Sequence, residues 1–204
     1  MLLFLDVVSP IPEFSIIDDK KVLLQKKIIS QKSDKLSDNI FQTYIKLSKV
    51  LDLTKNLKKI AITTGPGSYT SLRVGAAFVS GLSISSQVQV SQVSVENIIN
   101  FKNEYNQYCD FAVYICSSNN QKFFCYMNSN NNVKYIKIED NNFIVPESIK
   151  TIFYNYEKLS QDNTNIKQLS FSFVEELINN IKDIKFFSNE TINPIYISNN
   201  SLLS

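Results

Sequence analysis

The residues best suited to chemistry lie in one stretch of the chain, residues 63–83, which reads TTGPGSYTSLRVGAAFVSGLS. This stretch contains all four glycines of the 204-residue protein and its only arginine, Arg73. An apolar run precedes the glycines, and a segment with helical spacing follows them. Because the amino end of a helix offers unpaired N–H groups and a favourable dipole to an anion, this layout raises the hypothesis of a nucleotide site.

Three common sites with this layout do not match the residues. A P-loop requires GxxxxGK[ST], and the stretch has no lysine to reach the phosphates. A dinucleotide fingerprint requires a third glycine where Thr70 stands, and Glu96 lies too far along the chain to hold a ribose. A nucleophile elbow requires GxSxG, but Ser68 follows a Gly-Pro-Gly turn and the chain contains no histidine to activate it.

The same residues also fit a structural role, a tight turn that leads into a helix. Gly65 and Gly67 supply backbone conformations that other residues resist, and Pro66 stiffens the turn. Ser68 or Thr70 is placed to cap the helix.

Inside that helix, small residues predict close packing. Ser71 and Gly75 are four residues apart and share one face, where another backbone can approach closely. An interior glycine costs a helix about 1 kcal/mol relative to alanine, so Gly75 and Gly81 indicate a compensating contact. Arg73 lies in the first turns, where a cation opposes the helix dipole. We therefore expect it to face an acid, an anion or a partner, the alternative being a surface side chain.

The composition limits the other options. The absence of histidine excludes histidine-dependent catalysis and most metal sites that contain histidine. Cys109, Cys116 and Cys125 have no CxxC spacing, which favours free thiols in a reducing cytoplasm over disulfides or a zinc site. A net charge of +2 with scattered lysines does not indicate direct nucleic-acid binding. The opening MLLFLDVV predicts a buried strand rather than a signal peptide, and no run is long enough to span a membrane.

The elements that position the glycine stretch follow from periodicity. Three β-rich runs predict an opening meander, and a helix over about 34–51 follows, capped by Ser33 or Asp34. The apolar stripe of this helix consists of Leu36, Ile40, Tyr44, Leu47 and Leu51. A strand over 58–64 leads into the turn, a helix follows it to Ser85, and 88–95 is extended again.

The second half predicts a looser arrangement around an Asn-rich hairpin turn. Its other predicted elements are helices over 96–108, 146–160 and 172–184 and a last strand over 193–198. The aromatic residues are predicted to be core rather than a base-stacking platform, namely Tyr105, Tyr108, Phe123, Phe124 and Tyr126. A composition shift divides the chain into a first lobe, 1–100, and a smaller second lobe, 101–204.

TTGPGSYTSLRVGAAFVSGLS resembles the GPGSFTGLRIG segment of the TsaB (YeaZ) family, and the strand-strand-strand-helix-strand-helix order resembles that family's first lobe. The closing NPIYIS is similar to the family's Pro-x-Tyr-x-Arg. The resemblance implies an α/β, two-lobe fold of the actin-like ATPase, sugar kinase and Hsp70 type, which is ribonuclease H-like.

The resemblance also implies a non-catalytic scaffold or activator that dimerises with the catalytic paralogue TsaD in threonylcarbamoylation of the adenosine beside the tRNA anticodon. It implies no cofactor in this chain, with ATP and a metal on partner subunits, the ATPase TsaE as a further partner, and tRNA bound only through the complex. It implies a cytoplasmic location. The implied partner interface is Leu36, Ile40, Tyr44, Leu47, Ser71, Leu72, Gly75 and Val79. The family's turn motif is Gly65, Pro66, Gly67, Ser68, Thr70 and Arg73.

Several residues depart from the family pattern. The first strand ends in Asp6-Val7-Val8 instead of Asp-Thr-Ser, which indicates a loss of hydroxyl and N–H donors for a phosphate. Position 71 is serine instead of glycine, and CSS at 116–118 replaces an Asp-Ala-Arg turn. Two alternatives stay open: a nucleotide-dependent enzyme of the same superfamily, and a self-associating homodimer that pairs through the same helix faces.

Overall fold

Two five-stranded sheets form the framework of the protein, in a computed structural model that describes residues 1–29, 34–104, 110–139, 143–160, 165–188 and 190–197. The first sheet contains β1 (Leu2–Asp6), β2 (Glu13–Asp18), β3 (Lys21–Lys27), β4 (Lys59–Thr63) and β5 (Gln89–Val93), in the order β3-β2-β1-β4-β5. The second contains β6 (Phe111–Cys116), β7 (Lys122–Met127), β8 (Val133–Ile138), β9 (Thr151–Tyr154) and β10 (Lys167–Ser170), in the order β10-β9-β6-β7-β8. The helices are α1 (Leu36–Leu51), α2 (Leu53–Asn56), α3 (Tyr69–Ser86), α4 (Val95–Glu104) and α5 (Phe173–Asn179).

The first sheet combines an antiparallel meander with two parallel strand pairs. β1, β2 and β3 pair antiparallel, whereas β1 pairs with β4, and β4 with β5, in parallel. The parallel arrangement brings the carboxyl ends of β1 and β4 side by side, with Leu5 opposite Ile62. The glycine turn therefore starts beside the end of the first strand, at the edge where open α/β sheets bind ligands.

Two helices cover one face of this sheet through an aromatic contact. The rings of Tyr44 on α1 and Phe78 on α3 are 5.5 Å apart, and both lie within 6.4 Å of the Phe14 ring on β2. The apolar stripe predicted for α1 is thus the surface that holds this helix on the sheet. The meander, the first helix and the β7–β8 hairpin are confirmed.

One apolar cluster contains buried residues of both sheets, and a second cluster lies on the second sheet alone. α4 packs against β6 and β7, while α5, from the second half of the chain, contacts β1 of the first sheet. Lys102 of α4 and Glu176 of α5 form an ion pair with little solvent exposure. The predicted division at residue 100 falls inside α4, so the domain boundary stays a prediction. No helix in the described ranges has the length and hydropathy that a membrane crossing requires.

Other sequence-based predictions are corrected. The predicted helix over 146–160 is wrong, because Thr151–Tyr154 form β9, whose β-branched and aromatic side chains pair in parallel with β6. β10 was not predicted, and α5 ends at Asn179 rather than near 184. Residues 190–197 form no strand.

The predicted cap of α1 also differs. Lys35 occupies the N-cap position without a side-chain capping bond, so Asp34 is not the cap. Ser33, Tyr105, Tyr108 and Cys109 lie outside the described residues.

Candidate functional site

Other parts of the chain approach the glycine turn closely at two of its glycines. Gly65 has a φ of +112°, and a Cβ there would lie 2.9 Å from the carbonyl oxygen of Ile195. A Cβ on Gly67 would lie 3.2 Å from the Ser117 hydroxyl oxygen. Pro66 follows Gly65 through a cis peptide bond. The turn is thus built to receive the chain's C-terminal segment on one side and the loop after β6 on the other.

Hydrogen bonds attach the start of α3 to the second sheet. The Ser68 amide, at the N-cap of α3, donates to Ser117 Oγ at 3.0 Å, and the hydroxyls of Ser71 and Ser118 are 3.1 Å apart. Ser68 makes no side-chain capping bond, and Thr70 is exposed. The start of α3 was a candidate anion site because of its unpaired N–H groups. One of these N–H groups, that of Ser68, already donates to a side chain of the same protein.

The loop after β1 uses its own polar groups in the same way. Asp6 Oδ1 accepts hydrogen bonds from the Val8 amide at 2.9 Å, the Ser9 amide at 3.2 Å and the Thr63 hydroxyl at 3.0 Å. The Val7 amide donates to Thr63 Oγ1 at 2.9 Å. Burial raises the pKa of the Asp6 carboxyl, against the lowering effect of these hydrogen bonds. The backbone N–H donors that we expected to be lost are present after β1. They donate to side-chain oxygens of the chain itself, those of Asp6 and Thr63.

Gly75 faces the end of β1. A Cβ at this position would lie 2.8 Å from Cγ1 of Val7 and 3.2 Å from Cδ1 of Ile62. Val7 and Val8 are completely buried, so the space at the end of the first strand is filled by packed side chains. The contact that compensates Gly75 is therefore internal.

The residues predicted as the partner interface are all buried in the chain's own core, namely Leu36, Ile40, Tyr44, Leu47, Ser71, Leu72, Gly75 and Val79. Their burial places them on the inner sides of the two helices, and the residue-level interface stays a prediction. The physical reason for this burial is that the apolar side of each helix packs on the sheet of its own chain, so only the opposite sides are open to a partner.

Those opposite sides form what we call the outer helix face, which consists of Phe41 on α1 and Arg73, Ala77, Gly81 and Ile84 on α3. The α3 residues follow spacings of four, four and three, and so lie in one row. Ile84 is 76% exposed and Phe41 is 58% exposed. Phe41 precedes Tyr44 by three residues and is therefore its neighbour on the surface of α1, next to the ring that contacts Phe78 of α3.

Gly81 differs from the other three glycines. A Cβ placed on it would meet no atom within 4 Å, and its φ is not positive. Neither backbone conformation nor packing within the described chain thus explains a glycine here.

Arg73 contacts tyrosine rather than the expected acid. Its Nη1 donates to the Tyr69 hydroxyl at 2.9 Å, and its guanidinium carbon lies 5.1 Å from the centroid of that ring. The Tyr196 ring lies 4.7 Å from the Tyr69 ring. Tyr69 and Tyr196 are not among the predicted site residues, although Tyr69 lies four residues before Arg73, a spacing that places the two together on a helix.

Other features of the described chain lie away from the turn. No group of three or more acidic or cysteine side chains in the described ranges is placed to hold a metal. Cys116 and Cys125 are free and buried, and burial raises the pKa of both thiols. Surface cavities of about 250 and 440 Å³ lie beside β5 and beside the β7–β8 turn.

Comparisons with known proteins agree with this architecture. YeaZ from Pseudomonas aeruginosa matches over 96% of this chain and 99% of its own, with a TM-score of 0.61 and 16% identity. A crystal structure described as an uncharacterized protein with similarity to peptidase YEAZ from Pseudomonas aeruginosa matches over 97% and 99%, with a TM-score of 0.62 and 16% identity. No curated protein matches the sequence.

At this identity, the matched structures show the fold, which is the expected α/β two-lobe fold of the actin-like and ribonuclease H-like type. The resemblance to the TsaB (YeaZ) family is likewise confirmed. A family model described as TsaD, tRNA N6-adenosine threonylcarbamoyltransferase, matches residues 22–198, and the chain therefore belongs to this family.

Proposed function

We propose that this chain is a non-catalytic, TsaB-type subunit that dimerises with a TsaD-type catalytic paralogue and supports threonylcarbamoylation of the adenosine beside the tRNA anticodon. The family match and the YeaZ-type fold support a role in tRNA modification. In this proposal ATP and metal are bound by partner subunits, among them a TsaE-type ATPase. tRNA is bound in the cytoplasm by the assembled complex only.

The observation that carries the proposed interface is Gly81. A glycine inside an exposed helix face costs about 1 kcal/mol relative to alanine, and this one has no atom near its missing side chain. A partner helix lying across the row would use that gap, because small residues let two helix backbones approach closely. Ala77 and Ile84 flank Gly81 and supply apolar area for the same contact.

The end of β1 supports the non-catalytic part of the proposal. A bound phosphate needs free N–H donors at this edge of the sheet, and those of Val7, Val8 and Ser9 already donate to Asp6 or Thr63. Val7 occupies the space between β1 and Gly75. A nucleotide would have to displace both the hydrogen bonds and the packed side chain.

Gly81→Leu is the deciding variant. We expect the wild-type chain and the TsaD-type paralogue of the same cell to form a one-to-one complex by light scattering after size exclusion, and we expect Gly81→Leu to abolish it. Leucine improves the helix propensity of this exposed position, so loss of the complex would not reflect unfolding. Asn179→Leu, at an exposed position of α5, is the matched control and should assemble normally.

Four results would contradict the proposal. The mixture could stay as two species, or Gly81→Leu could assemble like the wild type. Alternatively, the chain alone could have the mass of a dimer that the paralogue does not dissociate, which would favour the homodimer. Tight, magnesium-dependent binding of labelled ATP to the isolated chain would favour an enzyme instead.

A further inference from the structure

Resting on the proposed function, we infer that Arg73 is the carboxylate-binding end of the outer helix face. Tyr69 and Tyr196 orient its guanidinium to receive an aspartate or glutamate side chain of the partner protein. The occupant is a carboxylate presented by a helix that lies across Ala77, Gly81 and Ile84.

The guanidinium is held but not neutralised. The bond to the Tyr69 hydroxyl uses one of the five N–H donors of arginine. None of the salt bridges in the described ranges involves Arg73, so no carboxylate there reaches it. An arginine that keeps most of its planar fork available is suited to a bidentate bond with a carboxylate.

The tyrosines fix the position of this fork. Tyr69 is four residues before Arg73 on α3, and its ring lies under the guanidinium. Tyr196 packs against Tyr69, and the Ile195 amide donates to the Thr64 carbonyl at 2.7 Å, which fastens the C-terminal segment to the glycine turn. The close approach of Ile195 is the one that a side chain on Gly65 would obstruct. The glycine turn therefore helps to bring Tyr196 to Tyr69 and Arg73.

The surroundings favour a protein partner over RNA. From Ile60 to Val95 Arg73 is the only charged residue, so α3 presents a single cation at the end of an otherwise uncharged row. Binding to nucleic acid depends on several clustered cations. Exposed tyrosine and arginine next to apolar residues are instead the composition of energetically dominant positions in protein interfaces. Tyr69 is 54% and Tyr196 46% exposed, which leaves both able to be covered.

The test measures the affinity for the TsaD-type paralogue over a range of salt concentrations. We expect Arg73→Met to weaken the complex roughly 30-fold or more, because truncating one member of a covered charge pair has a large cost. The affinity of the variant should also depend less on salt. Arg73→Lys keeps the charge without the fork and should recover part of the loss. Lys134→Met, at an exposed position of β8, is the charge-matched control and should bind like the wild type.

A charge exchange identifies the occupant. Arg73→Glu should abolish the complex, and one Asp→Lys or Glu→Lys substitution in the paralogue should restore it. Unchanged melting of Arg73→Met, expected because methionine has a similar helix propensity at this exposed site, excludes a folding defect.

The outcomes separate the two proposals. If Gly81→Leu abolishes the complex but Arg73→Met binds normally with unchanged salt dependence, the role of Arg73 is overturned and the proposed interface stands. If Arg73→Met leaves the protein complex intact and weakens only its binding to tRNA, the occupant is a phosphate and the inference is wrong. If no complex forms with the wild type, both fail.

Discussion

The two glycines inside α3 have opposite surroundings. Gly75 faces inward, where Val7 occupies the volume that a side chain would need, whereas Gly81 faces outward and has free space around it. A sequence shows both simply as interior helix glycines. Their separate roles appear only when the direction of each missing side chain is known.

Replacing Gly75 by alanine is expected to destabilise the protein by about 1–3 kcal/mol, since the added methyl group overlaps a fully buried, β-branched Val7. Gly81→Ala is the matched control. It should raise the free energy of unfolding by up to about 1 kcal/mol, because it gains helix propensity and touches nothing. Urea unfolding of both variants measures the difference, and equal stabilities would mean that Val7 moves aside at no cost.

At the scale of elements, the amphipathic pattern of α1 and α3 has two possible interpretations. An apolar stripe holds a helix either on its own sheet or on a partner. In this chain the apolar stripes pack on the chain's own sheet, since Leu47 and Val79 are buried below the two helices. The outer helix face is less apolar and is recognised by exposure rather than by periodicity.

The loop after β1 is expected to make stability depend on pH. Burial raises the pKa of Asp6 in the folded protein above its ordinary value of 3.8, so the folded state keeps the proton to higher pH than the unfolded state does. The stability that Asp6 contributes is therefore fully present below the ordinary pKa of 3.8, and it is lost as the pH rises through the raised pKa of the folded state. Glu13, whose pKa is raised by burial and by Asp6, acts in the same direction.

Asp6→Asn isolates this contribution, because asparagine stays neutral and its oxygen can still accept the Val8 and Ser9 amides. The stability difference, variant minus wild type, should increase with pH and then become constant. Urea unfolding at pH values from about 4 to 7 covers the ordinary carboxyl range and the region above it. A difference that is constant, or that decreases with pH, would contradict the argument.

At the scale of the whole molecule, hydrogen bonds and core packing join the two sheets into one unit. Asn155, after β9, donates to the Ser9 hydroxyl at 3.2 Å and also bonds the backbone of Cys116. Ser117 accepts from the buried Ser68 amide. These contacts between the two sheets thus fix the start of α3, and with it the direction of the outer helix face.

Ser117→Ala is expected to destabilise the protein by about 1–3 kcal/mol, since the Ser68 amide would be left buried without an acceptor. Ser129→Ala, at an exposed position in the β7–β8 turn, should change stability little. Thermal unfolding by circular dichroism measures both. If Ser117→Ala were as stable as the control, another acceptor would have to replace the hydroxyl.

The local elements around the candidate site could be predicted well from the sequence. α1 and α3 were predicted to within about two residues, because helical spacing, turn residues and Gly-Pro-Gly are local signals. Thr151–Tyr154 was misassigned because its apolar residues fit a helix in isolation. Only pairing with β6 makes it a strand.

The sequence alone determined the glycine turn, the two helices, the opening meander and the family, since these depend on residues close together in the chain or on a recognisable motif. The tertiary structure decided which glycine faces outward, how Val7 fills the end of β1, and that Tyr196 meets Tyr69. Contacts between residues 127 positions apart depend on how sheets pair and helices pack. That non-local information leaves no periodic signal in the sequence.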